Sequence, residues 1–254
     1  MKNCGVLFLS ILFVLSFSDV MYAQTDQTEK TDKEILEEYE QWSAMKDDWP
    51  NLNRYRQANL ELGQPGTGEQ RVVFMGNSIT EGWSDHYPEF FEGKPYINRG
   101  IGGQTTPQML VRFRQDVIHL QPDVVVILAG TNDIAGNTGP ATLDMIAGNL
   151  FSMAELADAH GIRVILSSVL PVYDYPWRPG LEPAPKIMDL NRMIRSYAEE
   201  NGFYYLDYFT ATADARNGMK EHLAYDGVHP NREGYILMSK LANETIKTVL
   251  ESQP

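Results

Sequence analysis

Five short stretches constrain this chain more than anything else in it: RVVFM (71–75), PYIN (95–98), DVVVIL (123–128), RVILSS (163–168) and FYYLD (203–207). Their apolar residues follow one another instead of alternating with polar ones, so strands built from them must be covered on both faces. The cover is encoded between them. Met109, Leu110, Phe113 and Val117 recur at helical spacing, as do Leu143, Ile146, Leu150, Met153 and Ala157, and then Ile187, Leu190, Ile194 and Tyr197. Strand and helix in alternation predict an α/β domain with a mostly parallel sheet. Thr106 followed by Pro107 predicts a helix cap and first turn, and a last helix is expected from about Asn231 to Leu250.

Two segments precede this domain, which is expected to span 71–254. Residues 1–23 carry one lysine, an apolar run from Gly5 to Phe17 and a small-residue stretch ending at Ala23. A run of that length falls short of the roughly 18 residues a spanning helix needs, so the segment reads as a secretory signal peptide and the protein as periplasmic or secreted, with no stable membrane insertion after cleavage. Cys4 precedes the apolar run, whereas a lipidated cysteine should follow it. No other cysteine exists, so the mature chain has neither disulfides nor thiol chemistry. Residues 24–70 are expected to form an acidic helical extension: Ile35, Leu36, Tyr39, Trp42 and Met45 mark one helix, 51–62 a second, and GQPGTGEQ (63–70) a turn-rich connection. The net charge of −13 argues against nucleic acid and anionic lipid surfaces as partners.

In open α/β sheets ligands bind beyond the carboxyl ends of the strands. Those positions hold Gly76, Asn77 and Ser78, then NRGIGGQTT (98–106), then AGTND (129–133); DGVHP (226–230) lies in the last loop. Together they supply the parts of serine acyl transfer. Ser78 at a sharp strand-to-helix turn exposes a hydroxyl, His229 can take its proton, and Asp226, three residues earlier, can hold the other ring nitrogen. The N–H groups of Ser78 and Gly103 and the side-chain amide of Asn132 make a three-donor oxyanion hole. Asp207, at the end of the last strand, is the rival carboxylate. No pair of histidines has a metal-ligand spacing.

GNSIT, the glycine of GIGGQTT, the asparagine of GTND and the DGVHP ending resemble, in that order, the four blocks of the SGNH (GDSL-type) esterases and lipases. The resemblance covers about 71–235. It implies a flavodoxin-like, three-layer α/β/α fold with a five-stranded sheet, and ester hydrolysis without metal or cofactor. It assigns Ser78, Gly103, Asn132 and His229 the naming roles and Asp226 the third place in the triad. This chain departs from the family in having Asn77 where aspartate is usual, and Thr80 separates its turn from the α/β-hydrolase elbow, which has glycine there.

One long loop, PVYDYPWRPGLEPAPK (171–186), is rich in proline and aromatics, and loops of this length are often functional. Tyr173, Tyr175 and Trp177, with Trp83, are expected at the substrate mouth, stacking on a sugar, or else packed against the body. The reading is an exported serine esterase for short acyl groups, acetyl on a small-molecule or carbohydrate ester first. The alternatives are a lysophospholipase or thioesterase for longer chains, a silent carbohydrate-binding domain, and a metal-dependent phosphoesterase.

Overall fold

The computed structural model describes residues 46–252 together with Thr31, Lys33, Leu36, Tyr39 and Ser43. The leader reading, and Ile35, Trp42 and Met45 of the first expected helix, lie outside the described residues. The chain divides into two units, 1–42 and 43–254. Within the first, Lys33, Leu36 and Tyr39 are helical, and Leu36 and Tyr39 are exposed.

The second unit holds five strands: β1 (Val72–Gly76), β2 (Tyr96–Gly100), β3 (Val124–Leu128), β4 (Arg163–Ser167) and β5 (Tyr204–Leu206). All neighbours are parallel, in the order β2-β1-β3-β4-β5. The consecutive apolar residues are sorted by the strand's alternation. Val73, Met75, Val125, Ile127, Val164 and Leu166 enter one core, against the helices α4 (Thr106–Asp116), α6 (Leu143–Asp158) and α7 (Pro183–Glu200). Val72, Phe74, Val124, Val126 and Ile165 enter the other, against α9 (Arg232–Glu251) with Trp83 and Phe90. This is the three-layer α/β fold, and all three expected helix faces are those that turn inward.

Five short helices stand among these elements in the described residues: α1 (Arg56–Leu62) before β1, α2 (Ser78–Glu81) and α3 (Trp83–His86) between β1 and β2, α5 (Thr131–Ile134) after β3 and α8 (Tyr208–Thr212) after β5. The second expected helix starts late, at Arg56. Asp48 is the cause: its carboxylate takes the N–H groups of Leu52 and Asn53 at 2.7 and 2.9 Å and holds 48–53 in turns. The start of α4 also moves by one residue. Thr105 is its cap, because Gln108 Oε1 reaches back to the Thr105 N–H at 3.0 Å, and Thr106 is the first helical residue.

Chain order and sheet order together locate the site. The chain leaves β1 toward β2 on one side and returns to β3 on the other, so the connections after β1 and β3 diverge and open a crevice between them. Gly76 is level with both Gly100 and Leu128, so the three strands end together there.

Candidate active site

Ser78 stands at the first position of α2, directly after β1. The turn is possible because Gly76 has no side chain: a Cβ there would lie 1.9 Å from Thr80 Oγ1. In place of the second glycine of a hydrolase elbow, this turn therefore packs Thr80 on the first. Asn77, buried at 1% exposure, accepts the Ile79 N–H at 3.1 Å and caps α2. A carboxamide oxygen does this as well as a carboxylate oxygen would, so the departure at Asn77 leaves the turn intact.

The loop before α9 brings the partners in. Val228, buried at 1%, anchors it in the core, and Asn231 caps α9 through the Gly234 N–H at 3.1 Å. On the same loop, Asp226 Oδ1 accepts the N–H groups of Val228 and His229 at 2.9 and 2.7 Å. Its Oδ2 lies 2.7 Å from His229 Nδ1, and His229 Nε2 lies 2.9 Å from Ser78 Oγ. An ionised carboxylate only accepts, so Nδ1 carries the proton and Nε2 offers its lone pair to the serine hydroxyl. Burial works against the Asp226 charge, but the hydrogen bonds from His229 and Val228 outweigh it and hold the carboxyl below the usual range.

Gly103 sits at the tip of the turn after β2 with φ at +74°, a conformation that favours glycine. The Asn132 side chain, buried at 3%, gives one hydrogen to the Gln104 carbonyl at 2.9 Å. Its second amide hydrogen remains for a ligand. Ser78 N–H is an orphan of the first helical turn. Among the described residues neither it nor the Gly103 N–H has an acceptor.

Two of the expected substrate residues are corrected. Trp83 is 1% exposed, stacked on Phe90 with ring centroids 4.7 Å apart, and its indole N–H donates to Ser239 at 3.0 Å. Tyr175 is fully buried, with its hydroxyl on Thr131 Oγ1 and the Thr131 carbonyl, both at 2.9 Å. Both belong to the core because their polar atoms find partners there. Tyr173 is exposed beneath the Arg216 guanidinium, and it lines a cavity of about 640 Å³ with Glu182, Met188 and Arg192, away from the triad residues. Trp177 does face the site: it is 42% exposed and its ring centroid lies 6.0 Å from that of His229. Asp207 caps α8 through the Thr210 N–H at 2.9 Å and pairs with Arg195, which leaves Asp226 as the carboxylate on His229.

Sequence reasoning missed Tyr225. It is 60% exposed and stacks on His229, with centroids 5.7 Å and planes 11° apart, while its other neighbour is His86. Its place directly before Asp226 was the available signal. Among the described residues, no three His, Cys, Asp or Glu side chains converge as a metal site would require.

The sequence profile of the GDSL-like Lipase/Acylhydrolase family matches residues 74–237. An acylhydrolase-like protein of Bacteroides fragilis is 48% identical in sequence and superposes with a TM-score of 0.79, over 80% of this chain and 99% of that one. A GDSL-like lipase from Bacteroides thetaiotaomicron is also 48% identical, with a TM-score of 0.76 over 78% of this chain and 98% of that one. An acetylxylan esterase of Geobacillus stearothermophilus is 26% identical over 209 residues, 69% of this chain and 92% of that protein.

Proposed function

Since the chain belongs to the GDSL-like lipase/acylhydrolase family and is a carboxylic ester hydrolase, we propose that it removes short acyl groups, acetyl first, from carbohydrate through a serine acyl-enzyme. The observation that carries the mechanism is the continuous path from Ser78 Oγ to His229 Nε2 to Asp226 Oδ2, at 2.9 and 2.7 Å. In this reading Ser78 Oγ attacks the ester carbonyl carbon as its proton passes to His229 Nε2. The resulting imidazolium keeps its Nδ1–H on Asp226. The carbonyl oxygen, now an anion, takes hydrogen bonds from Ser78 N–H, Gly103 N–H and Asn132 Nδ2. As the carbon–oxygen bond breaks, His229 returns the proton to the departing alcohol, and water then repeats the sequence to free the acid and Ser78.

The preference for a sugar rests on Trp177 and Tyr225, two exposed rings next to His229, which offer apolar faces to a pyranose. Similarity to an acetylxylan esterase supports the same choice. The leader-like first residues support action outside the cytoplasm. Nitrophenyl esters from acetyl to long chains, beside acetylated oligosaccharides, test the reading on wild type and Ser78→Ala. Acetyl preference and loss of activity in Ser78→Ala are expected. Long-chain preference points instead to a lysophospholipase or thioesterase, and equal rates for the two proteins sink the nucleophile.

A further inference from the structure

The turn that carries Gly103 is held by polar groups with unusual completeness. Gly100 N–H donates to Asn98 Oδ1 at 2.9 Å, Ile101 N–H to the Gly76 carbonyl at 3.1 Å, Gly102 N–H to Glu81 Oε2 at 2.7 Å and Gln104 N–H to the Ile101 carbonyl at 3.4 Å. Among the described residues, Gly103 N–H is the amide of residues 100–104 left open. A turn fastened at every amide but one presents that one in a fixed direction.

Gln104 is where these constraints meet. Its carbonyl holds the Asn132 side chain at 2.9 Å. Its side-chain oxygen accepts from Arg112 Nε at 2.6 Å, and its side-chain nitrogen donates to the Pro50 carbonyl at 2.7 Å. Arg112 is fully buried and ties the same turn to both strand ends, through Gly76 O at 3.0 Å and Arg99 O at 2.9 Å. Pro50 belongs to the segment before the core domain, and that segment grips the turn twice more. The Tyr55 hydroxyl donates to the Gly100 carbonyl, and Arg54 pairs at 3.1 Å with Glu81, the acceptor for Gly102 N–H.

We propose that Gln104 is a positioning residue for two oxyanion donors, Gly103 N–H and Asn132 Nδ2, and that residues 46–62 form the outer wall against which it is set. The inner wall is Arg112. The proposal rests on the serine-esterase reading above and assigns the pre-catalytic segment a part in the reaction: it keeps the donors aligned before substrate arrives, so no reorganisation is needed as the oxyanion forms.

The test is steady-state kinetics on acetyl ester for wild type, Gln104→Ala, Gln104→Glu, Asn132→Ala and the Gln104→Ala/Asn132→Ala double variant, with the Ki of a boronic acid that forms a tetrahedral anion on Ser78. Gln104→Ala is expected to lower kcat about 10- to 100-fold with KM within about threefold, and to raise the boronate Ki by a similar factor. Gln104→Glu keeps the acceptor for Arg112 and loses the donor to Pro50, so it should fall between the two. The double variant should be worse than Asn132→Ala alone but by less than the product of the two single effects, because Gln104→Ala misaligns both donors and Asn132→Ala removes one of them. Wild-type kcat in Gln104→Ala, a fully multiplicative double variant, or a lowered kcat with unchanged Ki overturns the proposal. Should Gln104→Ala fail to fold, Asp48→Ala loosens the wall from outside the site; a few-fold matched change in kcat and Ki is expected, and no change in either overturns it. Ser78→Ala separates the two readings: activity retained there sinks the serine mechanism itself, whereas an inactive Ser78→Ala beside a wild-type Gln104→Ala sinks only the role of Gln104.

Discussion

The two oxygens of Asp226 do different work, and the difference makes a sharp prediction. Oδ1 is committed to two backbone N–H groups, those of Val228 and His229, and Oδ2 to the imidazole. In Asp226→Asn the amide oxygen must stay on the backbone donors, because an NH2 group there would face two N–H groups. The NH2 therefore meets Nδ1, which must become an acceptor, and the ring proton moves to Nε2, where it blocks proton transfer from Ser78. Loss of about 10²- to 10⁴-fold in kcat is expected from steady-state assays, with the thermal transition little moved. The acid side follows from the lowered pKa of Asp226: its contribution to stability is present above the ordinary carboxylate value and is lost as pH falls through its own lower one. The D-x-x-H spacing was legible in the sequence because a residue three places away needs only a tight turn to reach the ring. Which aromatic side chains would face that ring was not legible. Tyr175 and Trp177 stand two residues apart in one irregular loop, yet one is buried and the other exposed.

Helix α4 has, besides the Thr105–Gln108 capping box, a second acceptor at its start. Its first residue, Thr106, donates its N–H at 3.0 Å and its hydroxyl at 2.6 Å to Asp133 of α5, a carboxylate only 4% exposed. Burial pushes the Asp133 carboxyl up to about 6, against the opposing pull of the Thr106 hydrogen bonds. A folded value above the unfolded one means that the folded state holds the proton longer, so this contribution to stability is complete below about pH 4 and is lost as pH rises through about 6. The difference corresponds to roughly 3 kcal/mol. Urea unfolding of wild type and Asp133→Asn between about pH 4 and pH 7 should show wild type losing stability relative to the variant as pH rises, since only wild type carries this group. A difference constant across that range would remove Asp133 as the source. At this scale the helices themselves were legible, since the 3.6-residue period is a local property; the Asp133 acceptor was not, because it comes from an element 27 residues further along the chain.

At the scale of the whole molecule, the net charge of −13 should act on encounter more than on chemistry. For a neutral acetylated oligosaccharide, kcat/KM should change less than about twofold between low and about 0.5 M salt, whereas for an acetylated polyuronate it should rise several-fold as screening relieves repulsion. Parallel salt series on the two substrates check this. The layered α/β architecture, its parallel sheet and the strand ends that carry Gly76, Ser78, Gly103 and Asn132 were determined by the sequence alone, because apolar runs and helical periods dictate which faces must be buried. Only the tertiary structure decided that Trp83 and Tyr175 are core residues, that Tyr225 stacks on His229, and that the segment around Pro50 braces the Gly103 turn. Those outcomes depend on contacts between residues distant in the chain, and no local period records which partner a side chain in a loop will meet.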